Sequence, residues 1–230
     1  MIELLTDKID IIRALWPFLI KGLWMTFQIS MISIVLGSLL GATLGITKTL
    51  GYFVLDKLIN GYLHLLRGSP YLVQLYIVFF VLPSLDIEWL KFDGYTAAIV
   101  SLSMYTSSYV TEIVASAIFA VPSGQSEAAR SVGMTRAQTY RNVVLPQAVR
   151  LTIPPMASVY VIVIKSTAVL SVIGIAELTR QGESAIMRMP GDIMFIYGLI
   201  AFFYFVYCYP VLRFSKWAEG RFGTVGEIEH

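Results

Sequence analysis

Between Gly22 and Ile46 the chain runs without a single charged side chain, and four more long apolar stretches follow. A helix needs about 20 apolar residues to cross the ~30 Å hydrocarbon core of a bilayer. In that core every backbone N–H and C=O must find a partner within the protein, which leaves helices or closed barrels. The stretches lie at about 22–46, 52–85, 95–121, 155–175 and 193–214. They predict an all-α transmembrane fold, a five-helix bundle in one domain over residues 1–230. Apolar residues are 57 % of the chain and charged residues 14 %, where a soluble domain carries about 25 % charge. The net charge of +2, with no basic cluster, speaks against a nucleic-acid partner. One cysteine, Cys208, allows no intramolecular disulfide, and two histidines give no basis for a metal site. Glu3, Asp7 and Asp10 precede the first apolar stretch and no small-residue cleavage site follows it, so the start does not read as a signal peptide.

Basic residues orient the bundle, because they gather on the cytoplasmic side. The 122–154 loop holds Arg130, Arg136, Arg141 and Arg150 against Glu127. Lys48 and Lys57 flank the first turn, and Arg213, Lys216 and Arg221 open the tail. The 83–94 loop instead holds Asp86, Glu88 and Asp93 against Lys91. With five crossings these signals agree on an outer N-terminus and a cytoplasmic C-terminus. Residues 1–15 are expected as a short helix on the outer surface, with Ile9, Ile12 and Leu15 in lipid.

The second stretch is too long for one straight crossing, since at ~1.5 Å per residue it would reach about 50 Å. Asp56, Asn60, His64 and Arg67 form a polar stripe on one helical face, and Gln74 extends it. Between them Gly68-Ser69-Pro70 predicts a kink or local break with Arg67 at its edge, because proline removes a donor and disfavours helix in the residue before it. In the first stretch Gly37, Gly41 and Gly45 recur at every fourth position, with Ser33 one step earlier, a pattern that lets helix backbones approach closely.

The loop from Pro122 to Pro154 is expected to hold two short helices. Ser123 or Ser126 can cap the first, with Glu127 in its first turn, where the helix dipole favours negative charge. Gly133 ends it. A second runs from about Arg136 to Val144 and stops at Pro146. Physical reasoning leaves two options, a docking element or a surface loop with no partner.

Glu127-Ala128-Ala129, Gly133 after three residues, and Val143-Val144-Leu145-Pro146 after nine more resemble the EAA motif of ATP-binding-cassette importer permeases; Val143 replaces the usual isoleucine. The resemblance covers about residues 15–215. Leu65 to Pro70 with Gln74, Ser108 to Glu112, Leu145 to Ala148, and Gly174 to Arg180 are similar to the polar amino-acid uptake branch, which includes histidine and glutamine permeases. The chain departs at Ala115, where many relatives carry arginine, and at Lys165-Ser166-Thr167-Ala168-Val169, where an acid often follows the lysine. The resemblance implies a permease that moves a polar amino acid or similar solute inward by alternating access. It assigns ATPase coupling to Glu127, Ala128, Ala129, Gly133, Leu145 and Pro146. It implies an ATPase subunit in two copies, a second permease subunit, and an extracytoplasmic solute-binding protein. The chain has no GxxxxGK[ST] phosphate loop, so ATP and magnesium belong to the partner and this chain is no enzyme.

Ionisable groups inside a bilayer are costly and face the bundle interior, where they pair or work. Arg67, Glu112 and Lys165 are such groups. Ser101, Tyr105, Ser108 and Glu112 form a stripe suited to line a solute path, and Gln74, Ser166 and Thr167 join as candidates. Glu112 with Arg67 or Lys165 can serve a zwitterion or form fixed ion pairs. A secondary, ion-coupled carrier is the alternative, in which these charges would be relay groups. The aromatic residues of the fifth stretch, Tyr204 among them, read mainly as lipid and interface anchors.

Overall fold

The computed structural model describes residues 2–222, with side chains from Lys8 onward. Met1 and residues 223–230 of the expected 1–230 domain therefore lie outside the described part. Helix α1 (Ile2–Lys48) is followed by α2 (Phe53–Arg67) and α3 (Tyr71–Tyr76), which continues through a π turn and a 3₁₀ turn to Leu85. Then come α4 (Gly94–Phe119), α5 (Ser123–Ser131) and α6 (Arg136–Thr139). A π turn, Tyr140–Val144, leads into α7 (Leu145–Ser166), which ends in a 3₁₀ turn at Ile173. Helices α8 (Leu178–Arg188) and α9 (Ile193–Phe222) complete the described chain, which contains no strand. By length and composition the segments Lys8–Lys48, Arg136–Ile173 and Pro190–Phe222 can each cross a membrane. The number rises to five if each of two bent helix pairs is one crossing.

The glycine stripe of α1 decides the packing at the centre. A Cβ placed on Gly37 would lie 2.5 Å from Thr106 Cβ, one on Gly41 would lie 2.6 Å from Val110 Cβ, and one on Gly45 2.8 Å from Val114 Cβ. Carbons in ordinary contact sit about 3.5–4.0 Å apart, so only glycine fits. The contacts advance together along both helices, so α1 and α4 run parallel. The facing side of α4 is kept small and internally satisfied: Thr106 donates to Leu102 O and Thr111 to Ser107 O, each at 2.7 Å. Asp93 caps α4 by accepting from Thr96 N at 3.0 Å, and the Thr96 side chain, together with this backbone bond, holds its carboxyl below the usual carboxylate range. Around this pair a core that includes Ile29, Leu75, Leu102, Val163 and Leu170 joins α1, α3, α4 and α7.

Several expectations need correction. Residues 2–15 do not form a separate helix, since α1 runs on without interruption from Ile2 to Lys48. Ile9 is exposed, but Leu15 is buried with Leu19, Leu178, Ile196 and Phe203. The start of α1 is drawn in because α8 and α9 supply an apolar surface for it. The break expected in the second stretch is present, with Arg67 at its edge. Phe53–Arg67 and Tyr71–Leu85 meet at 105° across Gly68-Ser69-Pro70. Each arm extends only about 22 Å at ~1.5 Å per residue. Pro146 does not end a helix either. The preceding π turn bonds Leu145 N to Tyr140 O, and Pro146 follows within the first two positions of α7. A π turn has room for an extra residue, and a proline so placed loses no α-helical bond of its own helix. The helix then continues through Pro154 and Pro155, so the helix that carries the fourth stretch starts well before Pro155.

Candidate functional site

Helix α5 leaves α4 at an angle of 58°. Its first residue is Ser123, which is therefore not the cap; Pro122 holds that position. Glu127 accordingly lies in the middle of α5 instead of its first turn. Gly133 takes φ +88°, and Met134 N bonds back to Ala129 O at 3.2 Å. That left-handed ending is easy only for glycine. Thr135 and Gln138 then form a reciprocal capping box that starts α6. Glu127 and Ala128 are exposed while Ala129 is buried. Leu145 is half-buried and the Pro146 ring is exposed. The π turn that follows α6 is held in a cluster of Ala117, Ile118, Val144 and Ala148, with Ile46 and Tyr140 alongside. The Tyr140 hydroxyl also meets Thr49 Oγ1 at the end of α1. The result is a braced pair of short helices with an exposed upper face.

Next to it three helices meet through charge. Glu112 on α4 pairs with Arg67, the last residue of α2, through one oxygen and with Lys48, the last residue of α1, through the other at 3.2 Å. Arg67 also lies over the Tyr109 ring at 5.5 Å. Cavities of about 370 Å³ and 450 Å³ open on the two sides of the Arg67–Glu112 pair. The first is lined by Asn60 and His64, the second by Tyr109, Ser116 and Pro155. Of the two partners considered for Glu112, the structure brings Arg67 and not Lys165. Lys48 is an additional partner, and in the sequence it reads only as a turn charge. Lys165 is exposed and makes no ion pair or hydrogen bond among the described residues.

The remaining path candidates divide. Gln74 is buried in the break of the second stretch, where Nε2 donates to Leu66 O at 2.6 Å and Ser69 O at 3.0 Å. It thus serves carbonyls that the interrupted helix leaves free. Ser101 is buried, donates to Ala98 O and meets Tyr71 Oη at 3.3 Å. Ser108 is also buried and bonds to Tyr105 O. Tyr105 is half-buried beside Tyr109, the two hydroxyls 3.2 Å apart. Ser166 bonds back to Ile162 O and Thr167 to Ile164 O. Of the stripe on α4 only Tyr105 and Glu112 therefore stay partly exposed, with Tyr109 beside them.

A second polar centre surrounds Glu177, which is fully buried. Gly174 reverses the chain at φ +83°. Glu177 then caps α8, accepting from Thr179 N and Arg180 N at 2.8 Å each. Tyr204 Oη donates to the same carboxylate at 3.0 Å, and Thr26 Oγ1 accepts from Leu178 N. Tyr204 is thus no lipid anchor, whereas Phe202, Phe205 and Tyr209 on the same helix are exposed. Glutamate is not among the usual capping residues, so neither this cap nor its Tyr204 partner from α9 is visible in the sequence.

The family described as the binding-protein-dependent transport system inner membrane component matches residues 42–223. The L-cystine transport system permease protein TcyB of Bacillus subtilis is 32 % identical over 86 % of this chain and 83 % of its own length. The glutamine transport system permease protein GlnP of Escherichia coli is 35 % identical over 75 % of this chain and 80 % of its own. Among solved structures, an amino acid ABC transporter crystallised with histidines superposes with a TM-score of 0.83. It is 31 % identical and covers 93 % of this chain and 97 % of its own. The MetNI methionine transporter, at 19 % identity and a TM-score of 0.69, shares the fold.

Proposed function

The chain belongs to the family of binding-protein-dependent transport system inner membrane components, and from that premise we propose how it couples ATP hydrolysis in a partner to solute movement. It is the permease subunit of an ATP-binding-cassette importer for amino acids, a multi-pass protein of the inner membrane. A polar amino acid or a similar small solute is moved inward, delivered from outside by a solute-binding protein. Two ATPase subunits hold ATP and magnesium, and a second permease copy or relative completes the pathway. The N-terminus faces outward, and the basic 122–154 loop and the C-terminus face the cytoplasm.

The observation that carries this reading is the braced α5–α6 element. Glu127 and Ala128 stand exposed on it, Gly133 fixes its turn, and the π turn joins it without a break to α7. An ATPase that grips α5 pulls on α7 directly, and on α1 through Tyr140 and Thr49. The ATPase biases a two-state bundle by binding one arrangement better than the other. Glu112, Arg67 and Lys48 tie α4, α2 and α1 at the cytoplasmic end and act in this scheme as a gate, while Tyr105 and Tyr109 face the path. Leu145 and Pro146 keep the helix joint in register. The ion-coupled carrier finds no support, because the matched relatives are permeases of transport systems and two of the three relay candidates are tied in this clamp.

Affinity capture of the chain from its native membrane tests the scheme, with co-purifying proteins identified by mass spectrometry. Recovery of an ATPase with a phosphate loop, lost on substituting Glu127 and Gly133, is expected. Normal coupled uptake by a Gly133→Pro protein would overturn it, since proline cannot adopt φ +88°.

A further inference from the structure

A cavity of about 1010 Å³, larger than either beside Glu112, lies where the end of α4 meets the start of α7 and the end of α9. Three cations line it, Arg150 from α7 and Lys216 and Arg221 from α9, and no carboxylate does. None of the three makes an ion pair among the described residues, and all are exposed. The rest of the wall is amphipathic: Gln147 supplies amide groups, while Leu151 and Trp217 supply apolar surface.

The depth of the cavity follows from α9. Phe214 and Trp217 are half exposed, with ring centroids 5.6 Å apart, and Trp217 meets Phe222 edge-on at 6.0 Å. An exposed aromatic cluster at the end of an apolar helix marks the membrane–water interface. The three cations share that level, so the cavity opens where phospholipid headgroups lie. Like charges gathered in one cavity repel, and a bound anion relieves that repulsion.

We propose that this cavity binds the phosphate headgroup of an anionic phospholipid, with Arg150, Lys216 and Arg221 on the phosphate and Leu151 and Trp217 against the glycerol and first acyl carbons. The inference rests on the membrane orientation given above, because anionic lipid attracts basic groups at the cytoplasmic leaflet. Retention of lipid in detergent does not depend on sidedness. Cysteine labelling from either side of the membrane therefore tests the orientation separately from the site.

The experiment uses the permease purified with its ATPase and mixed with equal amounts of phosphatidylglycerol and phosphatidylcholine of the same acyl chains. Native mass spectrometry counts the retained lipids. Phosphatidylglycerol is expected in excess, and Arg150→Gln, Lys216→Gln and Arg221→Gln are each expected to cut that preference about fivefold. Arg150→Lys and Arg221→Lys should keep most of it, which separates charge from folding. Equal retention of both lipids, or a preference unchanged in the triple Gln protein, overturns the proposal. So does displacement of the lipid by millimolar inorganic phosphate, which would mark a soluble-anion site. Preferential binding by the free chain that vanishes in the ATPase complex also overturns it, since the cavity would then be a protein-docking surface.

Discussion

Replacing Gly41 by alanine adds one carbon where the closest neighbours of the new Cβ would be Val110 Cβ at 2.6 Å and Ser107 O at 2.7 Å. Ordinary carbon contact begins near 3.5 Å, so α1 and α4 must part by about 1 Å locally or bend. Neither helix can rotate away, because Gly37 and Gly45 meet α4 equally closely one turn to either side. Overpacking of this kind costs about 1–3 kcal/mol. Alanine also gains about 1 kcal/mol over glycine in a helix, which hides part of the effect. Gly198 in α9 supplies the control, since a Cβ there meets nothing within 4 Å. Gly198→Ala carries the propensity gain alone, so Gly41→Ala should be less stable than Gly198→Ala by about 1–3 kcal/mol. Thermal unfolding of the two proteins in the same detergent measures the difference. If Gly41→Ala melts with or above Gly198→Ala, α1 and α4 do not pack through the glycine stripe.

Other expectations follow from the polar centres. Glu177→Ala removes the acceptor for two helix N–H groups and the Tyr204 hydroxyl, and should cost about 2–4 kcal/mol from the lost cap and the orphaned hydroxyl. Hydrogen exchange at the start of α8 should rise with it, and unchanged protection there would count against the cap. Gln74→Leu leaves Leu66 O and Ser69 O without that donor, for a loss of about 1–3 kcal/mol in unfolding free energy, with solute preference unchanged in uptake assays. A change of solute preference at normal stability would return Gln74 to the path. Glu112→Gln should shift stability by less than ~1 kcal/mol, because its ion pairs are partly exposed. It should nevertheless weaken solute-stimulated ATPase activity in the reconstituted complex, and wild-type stimulation would remove the clamp from the mechanism.

Local chemistry made much of this molecule readable from its residues. Apolar length marked the helices, because a bilayer leaves the backbone few ways to satisfy itself. Gly68-Ser69-Pro70 marked a break, and Gly133 marked the end of α5, since each acts on the backbone within a few residues. The EAA-type pattern could be recognised because its residues lie close together along the chain. What spacing along one helix could not reveal was what stands across from it. The stripe on α4 treats Ser101, Ser108 and Glu112 alike, yet neighbouring helices bury the serines and leave the acid half open. Lys48 looked like a turn charge until α1 and α4 came together in parallel register and brought it to Glu112. Tyr204 looked like any other aromatic residue of an apolar helix until α8 placed a buried carboxylate beside it. Pro146 looked like a helix stop because proline's usual penalty is local, and the π turn that accommodates it depends on the packing of Tyr140 and Val144. Sequence periodicity specifies which residues share a face, whereas the partner of that face is chosen by long-range packing, and it is the partner that determines whether a polar group serves structure or transport.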